Sequence, residues 1–359
     1  MRRQGGQGRR ERAGAARDAA LVGVAALWGA TFPLVQRGIE GVPVWTFLQN
    51  RFACALALLL PLALARDGLR AVVSPRAVLP GIFLGAGYLT QTAGLRTVGP
   101  SVSAFLTSTS VVMVPLAAAL LGWERPRARA AAGALLVLGG ILLLQGGRFP
   151  QQWERGESLT LLCAAAFAAQ ILAVGRALRR GAKPLALTAG QMLYATLLLL
   201  ATTPLAGTPL VIHGMASVSW FAILFTGLFA TAIAFLVQSW AQQRIPAVHA
   251  AFCFATEPVF AAVFSVLFAG DRLPALGWVG AALVLAATLL VTAEGSGTRG
   301  ARSGQREGRG AREAGEARKA GEARKGLVDR GSREGRGKSA NRGKGGKRGS
   351  HARPAAPPR

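Results

Sequence analysis

Between residues 18 and 294 the chain is a succession of apolar segments, each long enough as a helix to cross a lipid bilayer. About twenty residues at a rise of 1.5 Å cover the roughly 30 Å hydrocarbon layer. Ten segments meet that length, near 18–36, 43–65, 79–97, 101–121, 128–146, 158–176, 185–206, 217–237, 247–269 and 275–293. The sixth, with its Ala-rich stretch Cys163–Ala169, is expected to be the weakest span. Residues 18–294 carry 17 Lys and Arg and 9 Asp and Glu, too few to solvate a globule of that size. An ordinary soluble enzyme is thereby excluded, and an all-α polytopic membrane protein with ten transmembrane helices is expected. Small residues recur along the segments, as in Ala131-Ala132-Gly133-Ala134, and let helix backbones approach closely in lipid.

The net charge of +26 sits mostly at the ends. Residues 1–17 hold six Arg against one Glu, and residues 295–359 hold 19 basic against 6 acidic side chains. The first stretch reads as a basic cytoplasmic arm leading into a retained signal anchor, because the apolar run continues through Trp28 and Pro33 into further spans. The last, 294–359, has only Leu327 and Val328 as branched aliphatic residues and is expected to be a disordered basic cytoplasmic tail. Such a tail suits anionic membrane lipids, and nucleic acid only non-specifically. A passive, solvated tail that only enforces orientation is the other reading.

With ten helices and an inside N terminus, the inside loops carry eleven Lys and Arg and the outside loops five. That bias places both termini in the cytoplasm of a multi-pass cell-membrane protein.

The sequence also repeats itself. At an offset of 147, Gln91 meets Gln238, Thr92 meets Ser239, Ala104-Phe105 meets Ala251-Phe252, Glu124-Arg125 meets Asp271-Arg272 and Gly133-Ala134 meets Gly280-Ala281. Upstream the offset is about 139, bringing Trp28 onto Phe167, Thr31 onto Gln170 and Arg37 onto Arg176. The chain thus divides into five-helix units at 18–146 and 158–293, joined by an extracytoplasmic linker at 147–157. Five is odd, so the second unit enters the membrane from the opposite side. Two inverted repeats of this kind suit alternating access, although duplication for packing alone would leave the same trace.

The spans carry Trp28-Gly29-Ala30-Thr31-Phe32, Arg51-Phe52, Val114-Pro115-Leu116 through Gly122-Trp123-Glu124-Arg125-Pro126, Glu257-Pro258-Val259-Phe260 and Gly270-Asp271-Arg272. In this order the motifs resemble those of the drug/metabolite transporter superfamily, EamA type. The resemblance covers about three-quarters of the chain and implies export or exchange of small metabolites or drugs. One departure is Val111 at the position aligned with Pro258, with Pro115 a turn later. A kink in the fourth helix is therefore expected to be shifted relative to the ninth.

Polar side chains at membrane depth are the candidates for substrate binding or coupling. Glu257 lies near mid-membrane, where a carboxylate costs about 3 kcal/mol unless paired or protonated. It reads either as a proton-coupling or cation-binding group, or as a structural acid held by a neighbouring helix or by Arg51. Arg51 reads as an anion-binding group or as a partner for Glu257 or for helix-end carbonyls. Gln91 and Gln238 suit hydrogen bonding to a neutral or zwitterionic solute, or gluing helices together. Trp28, Thr31, Tyr88, Trp240 and the Thr107–Ser110 run are candidates to line the same cavity, and Trp45, Trp123, Trp220 and Trp278 read as interfacial anchors.

No enzyme chemistry is legible. His213, His249 and His351 show no metal-ligand spacing, Cys54, Cys163 and Cys253 form no CxxC pair, and no GxxxxGK[ST] loop occurs. No cofactor and no metal are expected. The expected activity is secondary transport of a small-molecule substrate driven by ion or solute gradients. The alternative class is a membrane receptor or scaffold that binds a ligand without moving it.

Overall fold

The computed structural model describes residues 2–123, 128–146, 153–210, 214–264, 266–267 and 272–293, with side chains of the first helix from residue 12 onward. The expectations for 294–359, and the Glu124-Arg125 and Gly270-Asp271 motif positions, lie outside the described residues.

Proline and glycine set where many of the helices start and stop. Helix α1 is Arg2–Gly38, and α2, Val44–Asp67, begins directly after Pro43. Gly68, at φ 82°, ends α2 by donating its N–H to the carbonyls of Ala63 and Leu64. The span α3, Leu69–Gly94, opens with a short turn and a 3-10 turn before its main helix, Val78–Gly94. Pro100 opens α4, Pro100–Leu120, and Pro184 opens α7, Pro184–Ala206. Proline serves at a first helical position because that N–H has no intrahelical partner. Between them run α5, Ala128–Leu144, and α6, Arg155–Arg179, the latter started by a reciprocal capping box of Glu154 and Glu157. The last three are α8, Ser217–Gln242, α9, Ala247–Phe264, and α10, Ala275–Ala293. The described structure is all-helical.

Nine of these helices are long and apolar enough to cross a membrane, and the remaining one, α5, has 17 residues. The sixth segment is not the weakest, as expected above, but one of the longest at 25 residues, with a mean hydropathy of 1.9. Its alanines are individually mild yet uninterrupted by charge, so their sum remains strongly apolar. Backbone hydrogen bonding continues from residue 2 into the first span, and α1 is one helix of 37 residues.

Two spans are interrupted at equivalent places. In α4 the helix breaks at Thr109, between Pro100–Ser108 and Ser110–Leu120. In α9 it breaks at Ala255 and Thr256, between Ala247–Phe254 and Glu257–Phe264. Thr109 and Thr256 stand 147 residues apart. Each threonine hydroxyl donates to the carbonyl three residues back, Leu106 at 2.6 Å and Cys253 at 2.7 Å. Each threonine N–H also bonds that same carbonyl, which tightens the turn. The expected shift between the two kinks is therefore absent: the breaks follow threonine, not proline. A third irregularity is the π-helical stretch Thr226–Ile233 within α8.

Close crossings knit the units together. A Cβ on Gly29 of α1 would sit 2.8 Å from the backbone N of Ala261 and 2.8 Å from the carbonyl O of Glu257 on α9. Gly140 of α5 and Gly280 of α10 face each other in the same way, each against the other's backbone carbonyl. Apolar side chains of α1, α2, α3, α7 and α8 form one buried cluster, and those of α4, α5, α9 and α10 form another. The cavity described next lies among helices of both.

Candidate functional site

Seven helices from both units wall one cavity. Its lining is Trp28, Thr31, Phe32 and Val35 of α1, Arg51 of α2, Tyr88 and Gln91 of α3 with Leu95, and Thr107, Ser108 and Ser110 of α4. The other wall is Phe167, Gln170 and Ile171 of α6, Phe235 and Gln238 of α8, and Phe254 and Glu257 of α9. The space between these side chains totals about 710 Å³ when the open solvent at its mouth is included.

The lining is paired by the sequence repeat. At the offset of 139, Trp28 corresponds to Phe167, Thr31 to Gln170 and Phe32 to Ile171. At 147, Tyr88 corresponds to Phe235, Gln91 to Gln238, Thr107 to Phe254 and Ser110 to Glu257. Two of the four pairs that contain an aromatic residue, Trp28 with Phe167 and Tyr88 with Phe235, are aromatic on both sides, and the amides correspond to polar residues. The two charged groups break this pairing, since Glu257 corresponds to Ser110 and Arg51 to Gly190.

Aromatic rings form the cavity's framework. Tyr88 meets Phe52, Phe167 and Phe235 edge to face, with centroids 5.4, 5.4 and 6.1 Å away. Trp28 packs on Phe235 and Phe254 at 5.3 and 5.0 Å, and its indole N–H donates to the Ala230 carbonyl at 2.8 Å. That carbonyl lies in the π-helical stretch of α8, where the widened turn offers a backbone acceptor.

Arg51 is buried, and its partners among the described residues are neutral. Its Nε donates to Thr231 Oγ1 at 2.8 Å and its Nη2 to the Tyr88 hydroxyl at 3.1 Å, while the guanidinium lies 4.3 Å from the Tyr88 ring centre. Glu257, 7% exposed, makes no hydrogen bond or ion pair with a described residue. The two charges share one cavity without pairing, so the expected Arg51–Glu257 partnership is not made in this structure. The break at Thr256 puts Glu257 on the first turn of its half-helix, where the unsatisfied N–H groups favour negative charge.

The amides are linked in sequence. Gln170 donates to Gln191 Oε1, Gln238 donates to Gln170 Oε1 and Gln242 Oε1, and Gln242 donates to the Ile171 carbonyl, each at 3.0 Å. This chain leaves Gln238 Oε1 buried without a hydrogen-bond partner. Gln91 instead donates to Thr107 Oγ1 at 3.3 Å. Gln91 and Gln238 therefore reach the cavity from two sides and bond different partners.

Eight of the nine candidates read from the sequence, namely Glu257, Arg51, Gln91, Gln238, Trp28, Thr31, Tyr88 and Thr107, line this one cavity. Trp240 does not. It is 41% exposed at the end of α8, with the Arg17 guanidinium 4.9 Å from its ring centre. The sequence reading missed Phe167, Gln170, Phe235 and Phe254 as lining residues. Each is the repeat counterpart of a residue that was singled out, and that correspondence is the signal that would have found them.

Comparisons with known proteins agree with this two-unit construction. The EamA-like transporter family matches the chain twice, over residues 17–145 and 155–293. An uncharacterized transporter of Archaeoglobus fulgidus is 30% identical over 278 residues, covering 77% of this chain and 85% of the relative. A chloroplastic WAT1-related protein of Arabidopsis thaliana is 27% identical over 219 residues, 57% of this chain and 51% of its own length. A crystal structure at 21% identity shares the fold with a TM-score of 0.64, over 78% of this chain and 98% of the other. Twice-matched along its apolar helices, this chain belongs to the EamA-like transporter family and is a multi-pass membrane protein.

Proposed function

We propose that the protein is a secondary transporter that moves small organic solutes across the cytoplasmic membrane without ATP, as an exporter or exchanger. Its two five-helix units act as inverted repeats, and exchange of their conformations alternates access to the shared cavity. The observation that carries this reading is the cavity itself, to which both units contribute counterpart residues around one unpaired carboxylate, Glu257. The aromatic walls would stack on an apolar body, and Gln91, Gln238 and Arg51 would bond its polar end. Glu257 is the group placed to take up a proton or a substrate cation. The interruptions in α4 and α9 supply two equivalent flexing points beside the cavity. Both termini are taken to lie in the cytoplasm, following the basic bias of the inside loops.

The test is flux in proteoliposomes of the purified chain, screened over a broad panel of small organic solutes with no nucleotide present. At least one solute is expected to move down or against a gradient, and Glu257→Gln is expected to change that flux. Saturable binding with no flux across the panel would overturn the transporter reading in favour of a receptor.

A further inference from the structure

At one end of the contact between α1 and α9, away from the cavity lining, three side chains with metal-ligating atoms converge. His249 and Cys253 stand one turn apart on Ala247–Phe254 and so share a helix face. Asp18 reaches them from α1. The imidazole Nε2 lies 2.8 Å from Asp18 Oδ1, and one ligand atom from each of the three residues lies within 4.8 Å of the other two. His249 and Cys253 are buried at 7% and 1% exposure, whereas the Asp18 side chain is 30% exposed and gives an ion a way in. The neighbouring Arg17 is engaged elsewhere, over the Trp240 ring and on the Ala13 carbonyl at 2.9 Å.

We propose that Asp18, His249 and Cys253 form a binding site for a zinc-class divalent cation. Packing alone does not account for the trio. The repeat counterparts of His249, Cys253 and Asp18 are Val102, Leu106 and Glu157, so the equivalent α4–α6 contact is built without a thiol or an imidazole. The donor set of one nitrogen, one sulfur and one oxygen is that of a borderline-soft ion, not of magnesium or calcium. Bonds of about 2.0–2.3 Å place tetrahedral ligands about 3.5 Å apart. The carboxylate and imidazole therefore need to part by about 0.7 Å, and a pair standing at the 4.8 Å limit to close by about 1.3 Å, to seat the ion.

The charges balance. A dication with one thiolate, one carboxylate and a neutral imidazole is electrically neutral, as a half-buried position requires. Binding releases the thiol proton to solvent, and the imidazole keeps its proton on Nδ1. Three protein ligands leave the fourth position of a tetrahedral ion to water. A bound ion ties the first unit to the second on the helix that also carries Glu257, and so would hold that pair of helices together.

The experiment uses the full chain in detergent, stripped with a chelator and titrated with cobalt(II), followed by displacement with zinc. A near-ultraviolet thiolate-to-cobalt charge-transfer band is expected, saturating at a single ion per chain and abolished by zinc. Cys253→Ser should remove the band, and a Cys54→Ala/Cys163→Ala variant should keep it. Should Cys253→Ser fail to fold, Asp18→Asn and His249→Gln are read instead, each weakening cobalt binding about tenfold or more. The absence of a thiolate band in the wild-type chain at saturating cobalt would overturn the site. So would a band that survives Cys253→Ser, or unaltered cobalt affinity in both Asp18→Asn and His249→Gln.

Discussion

Glu257 and Arg51 line the same cavity from different walls, and each is set up by different neighbours, so their substitutions should behave differently. Arg51 has two neutral hydrogen-bond partners and a ring beneath it. Lysine cannot hold two directed bonds and stack flat at once. Hydrogen bonds from a charged donor contribute about 1.5–3 kcal/mol and a desolvated cation–π contact up to about 2. Arg51→Lys is therefore expected to lower stability by about 2–3 kcal/mol, read as a lower Tm in detergent with secondary structure retained. Glu257 has no hydrogen-bond or ion-pair partner to lose among the described residues. Replacing it by Gln keeps the shape and removes a costly buried charge, so the Tm of Glu257→Gln should match or exceed wild type. If Glu257 carries the coupled proton, the same variant loses the pH dependence of net uptake while solute exchange continues. A marked drop in Tm would instead mean that Glu257 is a structural acid. An unchanged pH profile would remove it from coupling.

The helices themselves were legible in the sequence because a lipid-spanning segment must be apolar over its whole length. Each of the ten expected segments is occupied by a helix over its described residues. What was not legible has physical causes. The breaks in α4 and α9 were sought at proline, which cannot donate a backbone hydrogen bond, yet they sit at Thr109 and Thr256, whose hydroxyls compete for a backbone carbonyl. A threonine does this only where packing tolerates the tighter turn, and that depends on the neighbouring helices. Likewise Phe167 and Phe235 are ordinary apolar residues of a span until tertiary packing turns them toward Tyr88. Trp240 misled for the opposite reason, since its depth along α8 said nothing of the face it occupies. Glycine shows the same dependence on context and gives a paired prediction. Gly29 has backbone of α9 where its Cβ would go, whereas Gly139, exposed on α5, has nothing within 4 Å. Gly29→Ala should pry α1 from α9 and cost about 1–3 kcal/mol. Gly139→Ala should be neutral or stabilise by up to about 1 kcal/mol through helix propensity. Thermal melts of the two variants side by side check this, and equal effects would mean that the α1–α9 crossing is not tight.

At the scale of the whole molecule, orientation turns on one short helix. Nine helices are long enough to cross, and an odd number of crossings would put the two chain ends on opposite faces. The 17 residues of α5 rise about 26 Å, short of the roughly 30 Å layer, and the rest must come from its flanks or from local thinning of the bilayer. Charge argues that α5 does cross. If it did not, the second unit would be turned over, and the basic stretch around Arg176, Arg179, Arg180 and Lys183 would face outward. The packing of α5 on α10 through Gly140 and Gly280 also argues for crossing, because the glycine contact needs the two helices side by side. A reporter active only outside the membrane, fused within 147–157, should therefore be active. The same reporter fused after residue 294 should be silent. Reversal of both signals would mean that α5 stays on the inner side and that the two units enter the membrane in the same sense. The inverted-repeat reading, and with it the exchange of conformations between the units, would then fail together. Activity at the first position with silence at the second requires an even number of crossings between the N terminus and residue 294. When the nine longer helices all cross, that number is reached only if α5 crosses as well.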